Sequence, residues 1–407
     1  MTTSSTIEAG PPSTRGATAR RWRLAALAAL ALGLAVVGSC SWYISSRIED
    51  GALRPDHGPH TFGLEVVATT EDSVTVRPIG SNDADRPGIR ALEWRIDERT
   101  GWLQLGPIAS SNTEDAETTR PILFGAPPPL GAEARFDNYA YLGTPNDLGL
   151  AYDEVRYEAD LGPTPAWEVC GGRSRWLIHV HGKDSDPREV LRMLPTVSDL
   201  GFTTLAISYT NDLAAPANES GRYEYGASEW RDVEGAVRYA LDHGARQVVL
   251  AGHSMGGAII ASFLLESDLA ASVDAAILDA PMLDFHRTVA MGLEDGGVPG
   301  VLQPLPIWLA GVRFGLDWDR LDYAGRAEGY STPMLIFHGT NDDYTPIEAS
   351  ERLAEARPDL VTYERFEGAH HTGAWNVDPT RYEAAIRDFV TTHLGPTPEV
   401  PTCAIED

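Results

Sequence analysis

Lysine is nearly absent from this chain: Lys183 is the single lysine among 32 basic residues, which face 59 acidic ones. The net charge of −27 argues against nucleic acid or an anionic membrane surface as a partner of the main body. Cysteine is scarce as well. Cys40, Cys170 and Cys403 stand in no metal-ligand spacing. Cys170 and Cys403 are free to pair if the body lies outside the cytoplasm, and equally to remain thiols. The motifs HExxH and CxxC and a nucleotide-binding glycine loop are all missing, so no metal and no cofactor is expected. An internal repeat is missing too, which argues against a propeller.

Charge is also absent from one long stretch. Leu24 to Ile44 carries none, and its 21 residues suffice for a helix across a bilayer core of about 30 Å. Arg15, Arg20, Arg21 and Arg23 precede it, whereas Arg47, Glu49 and Asp50 come after. The positive-inside rule then puts residues 1–23, rich in Thr, Ser, Ala and Pro, in the cytoplasm as a disordered tail. Trp42 and Tyr43 suit the outer interface. Segment 24–44 is read as an uncleaved single-pass anchor; a cleaved signal peptide and a lipoprotein site at Cys40 are the rivals. All three place the body outside the cytoplasm.

Beyond the apolar stretch the chain falls into two parts. Residues 45–135 show short alternating runs (Phe62–Ala68, Ser73–Pro78, Leu92–Ile96, Trp102–Ile108) separated by turn-rich pieces, the pattern of a small β-rich unit. It carries no catalytic motif, so its expected role is a spacer or a wall over a site. From 136 to 397 strands alternate with helices. Glu154–Glu158 and Ala166–Val169 form an opening β pair. Strands are expected at Trp176–Val180, Thr203–Tyr209, Val248–Leu250, Ala275–Asp279, Met334–Phe337 and Val361–Phe366, and helices at Glu189–Leu200, Trp230–His243, Ile347–Ala356 and Tyr382–His393. Such alternation predicts an α/β fold, a mostly parallel sheet with helices on both faces. Residues 282–332 break the rhythm, as either a lid or an ordinary excursion.

The chemistry gathers around Gln247–Ile260, QVVLAGHSMGGAII. A buried strand runs into Gly252-His253-Ser254-Met255-Gly256 and on into a helix. The G-x-S-x-G pattern between strand and helix is a nucleophile elbow. Glycines at 252 and 256 relieve collisions in the tight turn and leave the Ser254 hydroxyl exposed. The helix start behind it offers free N–H groups to an oxyanion. A serine needs a base, and the base needs a carboxylate to orient it. After Ser254 the acid candidates are Asp342 and Asp343, in the loop after Met334–Phe337, and Asp279 at the end of an earlier strand. His370 and His371 come after the strand Val361–Phe366.

These segments resemble the α/β-hydrolase superfamily, in particular bacterial serine hydrolases of the esterase and acylaminoacyl- or proline-peptidase type. HGTNDDYTP (338–346) is similar to their HGTxDxxVP, and AHHTGAW (369–375) to their GxHxGxW. The resemblance spans roughly residues 150–395. It implies Asp342 as the acid, with Thr345 where the family has an apolar residue, and His371 as the base. It further implies an oxyanion hole from the backbone N–H groups of Met255 and of Lys183, the latter in the loop after His181-Gly182. The implied activity is cleavage of a carboxylic ester or thioester through an acyl-enzyme. A peptidase or amidase of the same fold is the second reading, and a non-catalytic envelope binding protein the third. The expected partners are a small-molecule acyl substrate and, through the N-terminal helix, the membrane.

Overall fold

The computed structural model describes residues 14–80 and 85–397; Cys403 therefore lies outside the described residues. The first element among the described residues is α1 (Thr14–Ile48). Trp22–Leu53, which takes in most of α1, is long and apolar enough to cross a membrane and is almost wholly exposed. It ends in a π-turn over Glu49–Leu53 whose last residue is buried.

The β-rich unit comprises β1 (Leu64–Thr69), β2 (Ser73–Pro78), β3 (Arg90–Ile96), β4 (Arg99–Leu105), β5 (Ser110–Asn112), β6 (Glu117–Phe124) and β7 (Glu133–Asp137). Its strand order is β2-β1-β7-β3-β4-β6-β5, and β2 also pairs with β6. That last pairing is antiparallel, over Ser73–Val76 and Thr118–Pro121. It closes the other strands into a small barrel, with β5 paired to β6 alone, which alternating sequence by itself does not announce. Leu64, Val66, Val74, Val76, Leu92, Leu103 and Leu105 fill the interior. Every second residue of β1 and β2 points inward, as the period of two requires.

The larger sheet holds β8 (Tyr152–Ala159), β9 (Gly162–Val169), β10 (Gly172–Val180), β11 (Phe202–Ile207), β12 (Gln247–His253), β13 (Ala275–Asp279), β14 (Met334–Gly339) and β15 (Val361–Phe366), in the order β15-β14-β13-β12-β10-β11-β9-β8. Neighbours from β15 to β11 are parallel. The hairpin β8–β9 is antiparallel and joins β11 antiparallel. The sheet is thus mixed, a correction to the mostly parallel sheet expected: the two strands of a hairpin run antiparallel to each other, so at least one of them must oppose the parallel strands. Two apolar clusters lie on opposite faces of this sheet. The all-buried pattern of β11, β13 and β14 results from cover on both sides.

The helices of this part are α2 (Leu194–Asp199), α3 (Trp230–Asp242), α4 (Met255–Glu266), α5 (Phe285–Asp295), α6 (Pro304–Phe314), α7 (Ile347–Ala356), α8 (Ala374–Val377) and α9 (Pro379–Leu394). The single helix expected over Glu189–Leu200 is instead a 3-10 turn at Pro187–Arg192 with the short α2 after it. Pro195 lacks the N–H that a continuous helix would need, so the two pieces cannot fuse. Segment 282–332 carries α5 and α6. Among the cysteines, Cys170 is disulfide-bonded and Cys40 is an exposed free thiol.

Candidate active site

At the end of β12 the chain reverses so sharply that Ser254 takes φ 51° and ψ −116°. A non-glycine residue there is strained, and the surroundings must hold it. They do: the Ser254 N–H donates to the Asp279 carbonyl at 3.0 Å, and its own carbonyl accepts from Met282 N–H at 3.0 Å. The two elbow glycines are sterically obligatory. A Cβ on Gly252 would stand 2.6 Å from Ile260 Cδ1, and one on Gly256 would collide with the Val180 carbonyl oxygen.

Three side chains from separate loops meet above this turn. Ser254 Oγ lies 2.8 Å from His371 Nε2. His371 Nδ1 donates to Asp342, 2.9 Å from Oδ2 and 3.1 Å from Oδ1. Asp342 is buried and richly bonded: its Oδ1 accepts the N–H groups of Tyr344 and Thr345, both at 2.8 Å. Its Oδ2 accepts Thr345 Oγ1 at 3.0 Å and lies 3.2 Å from His338 Nε2. Burial alone would raise its pKa. The charge of His371 and the hydrogen bonds from His338 and His371 outweigh that, and hold the carboxyl well below the usual range. Conversely, burial pushes the His371 imidazole down, but the Asp342 carboxylate dominates and lifts it above 6.5.

The remaining candidates are placed elsewhere. Asp343 is turned outward and pairs with Arg86 at 3.2 Å. His370 faces Asp343, its Nδ1 3.7 Å from that carboxylate, and not Ser254. Asp279 is buried under the elbow with its Oδ2 3.7 Å from His253 Nε2, and burial raises its carboxyl to about 6. So Asp342 and His371, of the alternatives left open by the sequence, are the pair in contact.

Gly182 lies against the elbow, its Cβ position 3.3 Å from Ser254 Cβ. Its N–H is committed to the buried Glu189 Oε2 at 2.8 Å, and that same oxygen accepts Ser185 Oγ at 3.1 Å. The loop is thereby pinned next to the serine. Among the described residues, neither the Met255 nor the Lys183 N–H has an acceptor. The Lys183 ammonium is tied to the neighbouring Asp184. His181 is structural: it donates to Asp212 at 2.9 Å, and Tyr209 Oη donates to the carbonyls of His181 and Gly182.

His179, Glu189 and His253 bring their ligating atoms within 4.8 Å of one another beneath the elbow. Those atoms are already engaged, His179 Nε2 with His253 Nδ1 at 3.0 Å and Glu189 with Gly182, and Arg192 stands 3.7 Å from Glu189. Burial holds both imidazoles neutral, with pKa well below 6.5. A cation beside that guanidinium would be repelled.

A further set of residues, not anticipated from motif or spacing, holds the histidine loop. Asn376 donates to the Ile89 and Asn138 carbonyls and accepts from Arg192 Nη1 at 2.9 Å. Arg192 also donates to the Thr372 carbonyl at 2.6 Å, and Asn138 Nδ2 lies 3.4 Å from the His371 carbonyl. The barrel and its C-terminal flank thus fasten the loop that carries His371. A buried Asn and a buried Arg have no local signature that would reveal this.

Residues 218–309 match the model of the family "Serine aminopeptidase, S33". No curated protein sequence matches the chain. Among solved structures, the esterase Pf2001 of Pyrococcus furiosus is 18% identical with TM-score 0.51, the similarity covering 63% of this chain and 98% of that one. A puromycin-hydrolyzing peptidase of Mycobacterium tuberculosis is 20% identical with TM-score 0.50, covering 80% of this chain and 46% of that one. Fold and family match agree, and the chain has the α/β-hydrolase fold.

Proposed function

We propose that the protein is a membrane-anchored serine hydrolase, its catalytic part outside the cytoplasm, that cleaves carboxylic esters or thioesters through an acyl-enzyme. The observation that carries this reading is the unbroken hydrogen-bonded series from Ser254 Oγ through His371 to Asp342. His371 Nε2 takes the hydroxyl proton as Ser254 attacks the acyl carbonyl. Asp342 holds the imidazole in the tautomer that presents a lone pair to the serine, and stabilises the imidazolium that forms. The carbonyl oxygen, now an oxyanion, accepts the N–H groups of Met255 and Lys183. The imidazolium then protonates the leaving alcohol or thiol. In the second half His371 deprotonates water, which releases the acid and restores Ser254. No residue of this scheme requires a cofactor.

The anchor reading is supported by α1 and by the arginines at its N-terminal side. A peptidase or amidase is the second reading, favoured by the family matched over 218–309 and by the peptidase among the similar structures. A fluorophosphonate probe tests the mechanism. The wild type is labelled at the serine, and Ser254→Ala abolishes labelling while the thermal melt is unchanged; an unreactive, folded wild type refutes the enzyme and favours a binding protein. A panel of short acyl esters against aminoacyl amides then separates the two hydrolase readings, faster turnover of the amides overturning the esterase.

A further inference from the structure

The surface of α6 conflicts with the rest of this chain. Residues 296–316 contain no acidic residue and one basic residue, Arg313, in a protein of net charge −27. Within that stretch Val301 is 86% and Trp308 61% exposed, and Leu302, Leu305 and Val312 are exposed with them. Leu305, Trp308 and Val312 are spaced i, i+3, i+7 and share one face of α6. The opposite face is spent on the core through Ile307 and Ala310. Large apolar side chains gathered on one helix face mark a surface that meets something apolar.

Beside this face lies the end of α1. Arg313 donates from Nη1 to the Trp42 carbonyl at 3.1 Å, to Ser46 Oγ at 3.0 Å and to Ser45 Oγ. Its guanidinium carbon sits 3.9 Å over the Trp42 ring. Ser41 and Ser45 are buried at the same contact, whereas Trp42 and Tyr43 stay exposed. The apolar face of α6 is therefore continuous with the aromatic end of the long apolar helix. Aromatic residues and arginine stems at that level are what an interfacial belt uses.

We propose that α6, with Val301 and Leu302, rests in the outer surface of the bilayer that α1 crosses, so that anchor and helix form one lipid-docking face. The inference rests on the reading of α1 as a membrane anchor. An uncharged face removes electrostatic attraction as the cause; apolar burial at the headgroup boundary drives it, as for amphipathic helices lying in an interface. Its consequence is orientation. The same excursion reaches the elbow, where Met282 N–H donates to the Ser254 carbonyl, and Phe285 stacks on Tyr225 at 3.9 Å. Docking would hold the serine at a fixed attitude to the membrane.

The test uses the full chain in phosphatidylcholine vesicles, with a nitroxide on single introduced cysteines in a Cys40→Ser background whose residual labelling is measured first. Leu32→Cys reports on α1, Val312→Cys on α6 and Leu130→Cys in the barrel segment on water. The expected result is a ratio of oxygen to nickel-chelate accessibility at 312 that approaches that at 32 and exceeds that at 130 by roughly fivefold. A water-like value at 312 with a lipid-like value at 32 overturns the docking face and leaves the anchor standing. A water-like value at 32 overturns both. Dipolar broadening between labels at 312 on two copies, without lipid exposure, overturns it in favour of self-association.

Discussion

Thr345 shows how much one atom can matter at the base of this site. Where the resembled family carries an apolar residue, this chain places a hydroxyl that donates to Asp342 Oδ2 at 3.0 Å and lies 3.3 Å from His371 Nδ1. A hydrogen bond to a charged acceptor contributes about 1.5–3 kcal/mol. Thr345→Val keeps the shape and removes that donor, so kcat/KM for an ester should fall by roughly 10- to 100-fold, with Thr345→Ser retaining most of it. In the proposed mechanism the pH profile is set by His371. Only the neutral imidazole can accept the serine proton, and its pKa is raised by Asp342 against the downward push of burial. Activity should therefore be lost as pH falls, with a midpoint in kcat/KM above 6.5. Asp342→Asn should cut kcat by about 10⁴-fold, since it upsets the tautomer of the histidine. The choice between residues 370 and 371 is not legible from spacing. It is made by the backbone: Gly368 and Thr372 both take positive φ, 73° and 49°, and the turn between them sends one imidazole toward Ser254 and the other toward Asp343. Likewise Asp343 is withdrawn by Arg86, a partner 257 residues away in sequence.

Elements are legible where their signal is local. The elbow is an example, because a turn that tight permits few residue types at its flanks. β13, β15 and α7 have the bounds that their apolar runs and periodicity predict. Over 189–200 the amphipathic pattern misleads, because periodicity carries no term for the missing N–H of Pro195. The barrel closure is hidden for another reason: the β2–β6 pairing joins strands far apart in the chain, and each alone looks like any half-buried strand. The elbow itself offers the sharpest test at this scale. Gly256→Ala drives a methyl into the Val180 carbonyl. Either β10 shifts away from α4 or the serine turn opens; both lower stability, by about 1–3 kcal/mol as overpacking does. Calorimetry should show a lower melting temperature, and probe labelling of Ser254 should slow by more than the lost stability explains. An unchanged melt would mean that the elbow has slack that its packing denies.

At the scale of the whole molecule, the segment joining α1 to the barrel is no passive tether. Leu53 is 1% exposed within the main core, and its carbonyl accepts Tyr223 N–H at 2.8 Å. Tyr225 Oη donates to the Ala52 carbonyl at 2.7 Å, and Arg222 pairs with Glu49 at 3.1 Å. Further on, the Asp56 N–H donates to Asp184 Oδ1 at 2.7 Å, and His57 Nε2 lies 3.1 Å from the Asn211 carbonyl. Asp184 comes directly after Lys183, so the segment after the apolar helix braces the loop proposed to bind the oxyanion. The barrel fastens the opposite side, through Asn138 and Asn376, onto the histidine loop. Both halves of the proposed machinery thus depend on chain that precedes the larger sheet. None of this is legible in the sequence, because the contacts run largely through backbone carbonyls, which carry no residue signature. Leu53→Ala measures the coupling. A buried leucine truncated to alanine costs about 2–5 kcal/mol, and here the cavity would also loosen Tyr223, whose hydroxyl donates to Asp212, the partner of His181. Melting temperature and kcat/KM should fall together, while Leu213→Ala, at a position 83% exposed, should change neither. A Leu53→Ala protein that melts lower yet hydrolyses esters at the wild-type rate would separate the brace from the chemistry and leave the segment after α1 a structural seam alone.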